Sequence, residues 1–310
     1  MPILAGKEIS QNGLGLMRMT WRGEQTPDSI AFPVLKAALA AGVNVWNGAD
    51  FYGSPENNSL HLLARYFAEY PEDAEKVVLC IKSGFADRKT FTMDSSPEAV
   101  YKYVENAKKI LGGHKRIDLF GMARQDKMTP IEDTVRALNE CVKKDLIGGI
   151  QLSEVSANSI RRASAVAKID MLEAEISLWA TDVFENGVAE ACGELGIVMV
   201  AHTPLGAGML TGQFKSLDDL PESDPHRHFP RFQPENFQKN LDLVEELGKL
   251  ALNKGCTPAQ LAFVSESRVE ENTTEVELTD SDLDTINEIL ASFPVQGHRY
   301  PAATASLCEY

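Results

Sequence analysis

Short apolar runs alternate along this chain with longer segments of helical periodicity. This alternation predicts repeated βα units around a parallel sheet, because each helix returns the chain to the edge where the next parallel strand begins. We predict seven strands, at Gly13–Met17, Val43–Asn47, Val77–Lys82, Ile117–Met122, Gly149–Ser153, Met171–Ile176 and Ile197–His202. The predicted helices are Ser29–Ala41, Leu60–Tyr70, Pro97–Leu111, Ile131–Lys144, Ser159–Ala167, Gly187–Leu195, Phe237–Lys254 and Pro258–Val264.

Eight strands are needed to close a barrel of βα units, and the eighth is not visible. After the apolar residues that end at Val264, the chain passes directly into the charged segment Ser265–Asn272. A length of 310 residues suits one barrel. We therefore predict a single α/β domain over residues 1–310, a (β/α)8 TIM barrel that lacks its eighth strand.

The formal net charge of −15 limits the classes of partner. Nucleic acids and anionic membranes would be repelled, so we expect a small-molecule substrate; the oligomeric state is left open. The start of the chain has no signal-peptide pattern and the apolar runs are too short to span a bilayer, which predicts a cytoplasmic protein. Five dispersed cysteines without a CxxC pair indicate neither a disulfide framework nor a zinc site.

Active sites of such barrels lie at the carboxyl ends of the strands. Tyr52 follows the second predicted strand in Ala49-Asp-Phe-Tyr-Gly53, and Lys82 ends the third. A lysine ammonium beside a phenol favours loss of the phenolic proton, so this pair is a plausible acid for carbonyl reduction. On spacing alone, a rim tyrosine and a solvated lysine are the alternative.

Cofactor signals in the chain are distributed and individually weak. Gly13-Leu-Gly15 lacks the third glycine of a dinucleotide fingerprint, since Arg18 stands there, so we reject a Rossmann unit. The glycine loop Thr203–Gly212 follows the seventh strand and could line a pyrophosphate. Arg268 lies at a predicted helix start, a suitable place for a ribose 2′-phosphate. An ordinary turn and a surface charge are the alternatives.

Taken together, these residues resemble the aldo-keto reductase superfamily over nearly the whole chain. The resemblance is carried by Gly42-Val-Asn-Val-Trp-Asn-Gly-Ala-Asp-Phe-Tyr-Gly53, Asp118-Leu-Phe-Gly-Met-Ala-Arg-Gln-Asp126, Leu152-Ser-Glu-Val-Ser156, Pro204-Leu-Gly-Ala-Gly-Met-Leu-Thr-Gly212 and Arg268-Val-Glu-Glu-Asn272. The chain looks most like the fungal pyridoxal reductase branch, on Trp46-Asn47, on Gly15-Leu-Met-Arg-Met-Thr-Trp21 and on His298-Arg-Tyr300.

The resemblance implies NADPH-dependent reduction of pyridoxal to pyridoxine, with Tyr52 as proton donor, Lys82 as the group that makes it a stronger acid, and Asn47 orienting Lys82. Most members have an aspartate at the position of Asn47 and a histidine at that of Ala123. The resemblance places Trp21 and Arg124 in the substrate site. Arg124 either replaces the missing histidine or forms an outward-facing salt bridge.

For the cofactor, the resemblance implies three groups of contacts. Ser153, Glu154 and Glu175 would contact the nicotinamide amide, although ionised glutamates accept hydrogen bonds and cannot donate them. His202 would stack on the nicotinamide. The pyrophosphate loop and the adenosine contacts would comprise Leu205, Gly206, Gly208, Arg268, Glu271 and Asn272.

Between Phe263 and Ser267, roughly twenty residues expected of the fold are absent, including the eighth strand and the first part of its phosphate-binding loop. Three functions stay open: a pyridoxal reductase, a reductase of generic aldehydes or ketones, and a catalytically weak protein on the same barrel that senses the cofactor or regulates a partner. An inactive paralogue would also explain the gap. Retention of Tyr52 and Lys82 favours an active enzyme.

Overall fold

The structure, a computed structural model, describes residues 2–21, 25–222, 224–262 and 278–309. The predicted adenosine contacts Arg268, Glu271 and Asn272 lie outside these residues, as does the gap predicted between Phe263 and Ser267.

Seven strands form one sheet, and each begins and ends within two residues of its predicted bounds. The strands of this sheet are β3 (Gly13–Gly15), β4 (Val45–Ala49), β5 (Val78–Ser83), β8 (Leu119–Met122), β9 (Gly149–Ser153), β10 (Met171–Glu175) and β11 (Val198–His202). Their spatial order is β11-β10-β9-β8-β5-β4-β3, and the pairings from β3 to β10 are all parallel. The predicted barrel type is confirmed, with no eighth strand among the described residues.

Four short strands lie outside the main sheet and form two antiparallel hairpins. They are β1 (Ile3–Leu4) with β2 (Lys7–Glu8), and β6 (Phe85–Asp87) with β7 (Thr92–Met93). Leu4 and Ile9, from the first hairpin and the residue after it, are buried in one cluster with Val45, Cys80 and Met171 of the sheet. This cluster is the lower layer of the barrel interior.

Helices follow the strands as predicted. They are α1 (Met17–Thr20), α2 (Asp28–Ala40), α3 (Ser59–Glu69), α4 (Pro97–Leu111), α5 (Ile131–Lys143), α6 (Ala157–Ser164), α7 (Val188–Leu195), α8 (Pro234–Asn253), α9 (Pro258–Ala262), α10 (Asp280–Ser292) and α11 (Ala302–Ala305). Helix α4 is typical: the Ser96 hydroxyl accepts from Ala99 N at 3.3 Å, and the chain leaves the helix through Gly112 at φ +62°. Helices α1, α10 and α11 were not predicted.

The chain groups into two compact units. The first comprises residues 1–174, 186–200 and 307–310; the second comprises 175–185 and 201–306. The second unit has its own apolar core around Trp179, Met209, Phe232 and helix α8. The prediction of a single domain over 1–310 stays a prediction, as does the cytoplasmic location. Among the helices of the described residues, none is both long and apolar enough to cross a membrane.

Candidate active site

Polar side chains lie on the same face of the sheet as its apolar core, two residues further along each strand. Side chains two residues apart on a strand share a face. Asn47, Lys82 and Glu173 each stand two residues after a member of the core cluster, namely Val45, Cys80 and Met171. Three different strands therefore bring an amide, an ammonium and a carboxylate together inside the first unit.

Lys82 is buried between Asn47 and Glu173. Its Nζ donates to the Asn47 Oδ1 at 3.1 Å and to a Glu173 carboxylate oxygen, while Asn47 Nδ2 donates to the other Glu173 oxygen at 2.8 Å. The Lys82 and Glu173 side chains are only 4% and 6% exposed. Burial by itself lowers the pKa of Lys82, but the charge of Glu173, followed by Tyr52, raises that pKa above its usual value. Lys82 is thus held as an ammonium.

Tyr52 lies over this ammonium, with 5.7 Å between the Lys82 Nζ and the centre of the phenol ring. The ring also stacks on Trp21, with centroids 5.6 Å apart and planes at 26°. Trp21 is 48% exposed, so the candidate proton donor packs against an aromatic side chain that solvent reaches. The structure thus brings together Asn47, Lys82, Tyr52 and Trp21.

A tight turn holds Tyr52 in place. Gly53 has φ +122°, and a Cβ there would lie 2.4 Å from the Asn57 carbonyl oxygen, so only glycine fits. Tyr52 N donates to the Ala49 carbonyl at 3.3 Å, and Ser59 N donates to the Tyr52 carbonyl at 3.1 Å. These bonds fix the backbone on both sides of the phenol.

Asp50 lies beside the turn and points to a different partner. The Ser83 hydroxyl donates to its carboxylate at 2.6 Å. Burial raises the pKa of Asp50 to about 6, although the Ser83 hydrogen bond and the charge of Arg88 act to lower it. Asp50 is therefore the group near Tyr52 whose charge changes in the mildly acidic range.

Ser153, Glu154 and Arg124 lie together at the carboxyl ends of β8 and β9. Arg124 Nη1 donates to the Ala123 carbonyl at 2.6 Å and contacts the Ser153 hydroxyl at 3.4 Å. Glu154 is buried and takes φ +54°, which is unusual for a residue other than glycine. Its backbone N–H donates to the Glu173 carbonyl at 3.0 Å. Their predicted roles in binding remain predictions.

Glu175, in the second unit, is engaged by two arginines. Its carboxylate lies 3.4 Å from Arg299 Nη1 and 3.9 Å from Arg231 Nη1. Arg231 also donates to the Trp179 carbonyl at 2.6 Å. The Glu175 carboxylate thus forms ion pairs with arginines in this structure. Its predicted contact with a nicotinamide amide stays a prediction.

The glycine loop of the second unit is a series of tight turns. Gly206 and Gly208 have positive φ, and their N–H groups donate to the carbonyls of Thr203 and Leu205. A Cβ at Gly206 would lie 2.7 Å from Trp179, so this glycine is needed for packing. His202 Nδ1 is 3.0 Å from the Thr203 hydroxyl. Pyrophosphate binding by this loop, and nicotinamide stacking by His202, stay predictions.

Sequence reasoning missed Glu173, although a signal was present. It is a buried glutamate in the middle of β10, on the same face as the core residue Met171. Side chains alternate between the two faces of a strand, so Glu173 faces inward like Met171. The same alternation on their own strands turns Asn47 and Lys82 inward, toward Glu173.

Comparisons with known proteins bear on the family and the fold of the chain. Residues 13–265 match the aldo/keto reductase family. "Probable pyridoxal reductase 2" of Schizosaccharomyces pombe is 41% identical over 268 residues, covering 85% of this chain and 80% of that protein. "Putative pyridoxal reductase" of Saccharomyces cerevisiae is 35% identical over 338 residues, covering 94% and 96%. A Schizosaccharomyces pombe aldo-keto reductase, yakc, whose name specifies NADP(+), is 35% identical over 88% of this chain and 86% of its own.

A solved structure supports the fold. A glycerol dehydrogenase from Gluconobacter oxydans superposes with a TM-score of 0.80 at 23% identity, covering 92% of this chain and 93% of the other.

Proposed function

Because this chain belongs to the aldo/keto reductase family, we propose that it is an NADPH-dependent reductase of small aldehydes and that pyridoxal is its substrate. The observation that carries the proposal is Tyr52 lying over a Lys82 held as an ammonium inside the sheet. The names of two relatives add pyridoxal, and that of a third adds NADP(+).

The chain's own residues supply the acid and its electrostatic support. Tyr52 donates its proton to the aldehyde oxygen, and the Lys82 ammonium stabilises the negative charge that this leaves on the phenol. NADPH, when bound, would supply the hydride for the aldehyde carbon, and the product would be a primary alcohol. Trp21 lies next to Tyr52 and is half-exposed, so its indole can contact a flat heteroaromatic ring such as that of pyridoxal.

The donors at the end of β9 fit the amide of a nicotinamide. The Ser153 hydroxyl accepts a hydrogen bond from Arg124 and keeps its own proton to donate to an amide oxygen. Ser153 is buried and fixed on a strand, so the donor is well positioned. We assign Ser153 the first contact to the cofactor.

The test follows loss of NADPH absorbance with pyridoxal, with a nitrobenzaldehyde and without substrate. We expect turnover with pyridoxal above both comparisons. Tyr52→Phe should lose at least about 100-fold in kcat while binding NADPH as the parent does, because only the transferable proton is removed.

Turnover of nitrobenzaldehyde alone would keep the reductase and remove pyridoxal. Tight NADPH binding without turnover of any aldehyde would instead favour a cofactor-sensing protein. A Tyr52→Phe variant that retains half of the parent rate would remove the assignment of Tyr52 as the acid.

A further inference from the structure

We propose that Glu173 is the positioning residue of Lys82, and that its carboxylate is the negative charge that keeps the ammonium in place beneath Tyr52. The inference deepens the proposed function and rests on it for its kinetic readout. Its structural readout, described below, does not need turnover.

Lys82 needs a counter-charge because it is buried. An ammonium removed from water is strongly disfavoured unless a carboxylate lies at hydrogen-bond distance. Glu173 is the carboxylate that contacts Lys82 Nζ, and both side chains are more than nine-tenths buried. The two residues are 91 positions apart in the sequence, so the pair exists only in the folded sheet.

Other charged groups around Lys82 have different assignments. Tyr52 is the candidate acid itself, and the Cys80 thiol on the same strand is neutral, since burial and then the charge of Glu173 raise its pKa. Asp50 accepts from Ser83. Asp118, at the opposite end of the sheet, forms a buried pair with Lys115. The charge that Lys82 requires therefore falls to Glu173.

Asn47 contacts both Lys82 and Glu173, and its position indicates how the carboxylate can be moved from residue 173 to residue 47. Its Oδ1 is 3.1 Å from Lys82 Nζ, and its Nδ2 is 2.8 Å from Glu173 Oε2. A carboxylate at position 47 would thus already lie within hydrogen-bond distance of the ammonium, and an amide at 173 could take the other half of the contact. The geometry points to a reciprocal exchange, Asn47→Asp with Glu173→Gln, that restores one carboxylate.

The experiment compares the parent, Glu173→Gln, Asn47→Asp and the double variant, with Glu105→Gln as a matched control on the exposed face of α4. Glu173→Gln should lower kcat at pH 8 by about tenfold or more with little change in KM. The deficit should shrink as the pH falls, because removing the carboxylate lowers the pKa of Lys82 and acid restores the ammonium. The double variant should recover to within about threefold of the parent.

Thermal melts of the same set give the readout that is independent of turnover. Both single variants should melt lower than the parent, because one leaves the ammonium without a carboxylate and the other crowds two carboxylates around it. The double variant should melt higher than either single variant, since the charge balance returns. Glu105→Gln should match the parent in both assays.

Two results would overturn the inference. One is a Glu173→Gln variant with the parent's kcat and pH profile; the other is a double variant whose loss equals the sum of the two single losses. A parent that turns over no aldehyde would remove the proposed function, and the melts would then decide the role of Glu173 by themselves.

Discussion

Replacing Lys82 by methionine separates the cost of breaking the buried pair from the loss of catalysis. Methionine is unbranched, one atom shorter than lysine and uncharged, so Glu173 loses its ammonium partner and keeps the donor from Asn47. Breaking a buried ion pair by removing one partner costs about 3–5 kcal/mol. With about 2.1 cal/mol/K of unfolding entropy per residue, this lowers the Tm of a chain of this size by about 5–8 °C.

The pH dependence of the loss has a definite sign. A protonated Glu173 carries no charge and needs no ammonium, so the difference in Tm between Lys82→Met and the parent should be largest near neutral pH. It should shrink as the pH is lowered, because a buried carboxyl group without a cationic partner takes up a proton more readily than a paired one. Differential scanning calorimetry at several pH values measures this directly.

A second variant distinguishes charge from packing. In Lys82→Met with Glu173→Gln, both charges are gone, so the Tm should return most of the way to that of the parent while kcat stays low. An appreciable ΔΔG would shift the Tm by more than about 1 °C. If Lys82→Met melts within about 1 °C of the parent at pH 7, the buried pair contributes little to stability and the reasoning is wrong.

Three further predictions concern other parts of the molecule. Gly206→Ala should cost about 2–4 kcal/mol in urea unfolding, because its Cβ meets Trp179 at a positive φ, whereas Gly248→Ala in helix α8, with open space around it, should be neutral or stabilising. Burial raises the pKa of Asp50 to about 6, so the stability contributed by its protonated form is lost as the pH rises through about 6. Asp50→Asn should therefore make the Tm depend less on pH between pH 4 and about pH 7, and an unchanged slope of Tm against pH would contradict this. Arg268→Ala should erase about 1.5–3 kcal/mol of preference for NADPH over NADH in a fluorescence titration; equal affinities in the parent would refute the assignment.

The strands could be predicted closely because parallel strands are buried on both faces and stand out as apolar runs. β9 (Gly149–Ser153) was predicted to the residue, and β10 (Met171–Glu175) to within one. Helix α10 was missed although Thr279 and Asp282 form a capping box at its start, and α11 has only four residues, too few for a periodic pattern.

The candidate site was predicted in part. Tyr52 and Lys82 follow strands whose ends could be located, so their proximity was foreseeable. Glu173 was not foreseen. Alternation places both Glu173 and Glu175 on the same face of β10 as Met171, and only the folded sheet shows which of the two carboxylates contacts Lys82. Gly206 illustrates a different limit. The glycines of its loop indicate a backbone that can adopt tight turns, but the sequence does not show where each N–H group points, because that depends on the turns formed in the folded protein.

Asn47 and Lys82 both contact the single carboxylate of Glu173. This arrangement also bears on how such a site can change by mutation. The resemblance noted above places an aspartate at position 47 in most relatives. A lineage that alters one codon at a time passes through a site with two carboxylates or with none. Two carboxylates can share a proton, so the ammonium keeps a counter-ion; a site with none leaves the ammonium buried alone. Of the two routes between an aspartate at 47 and a glutamate at 173, only the one through two carboxylates keeps the ammonium paired, so the order of the two changes matters to the stability of the site.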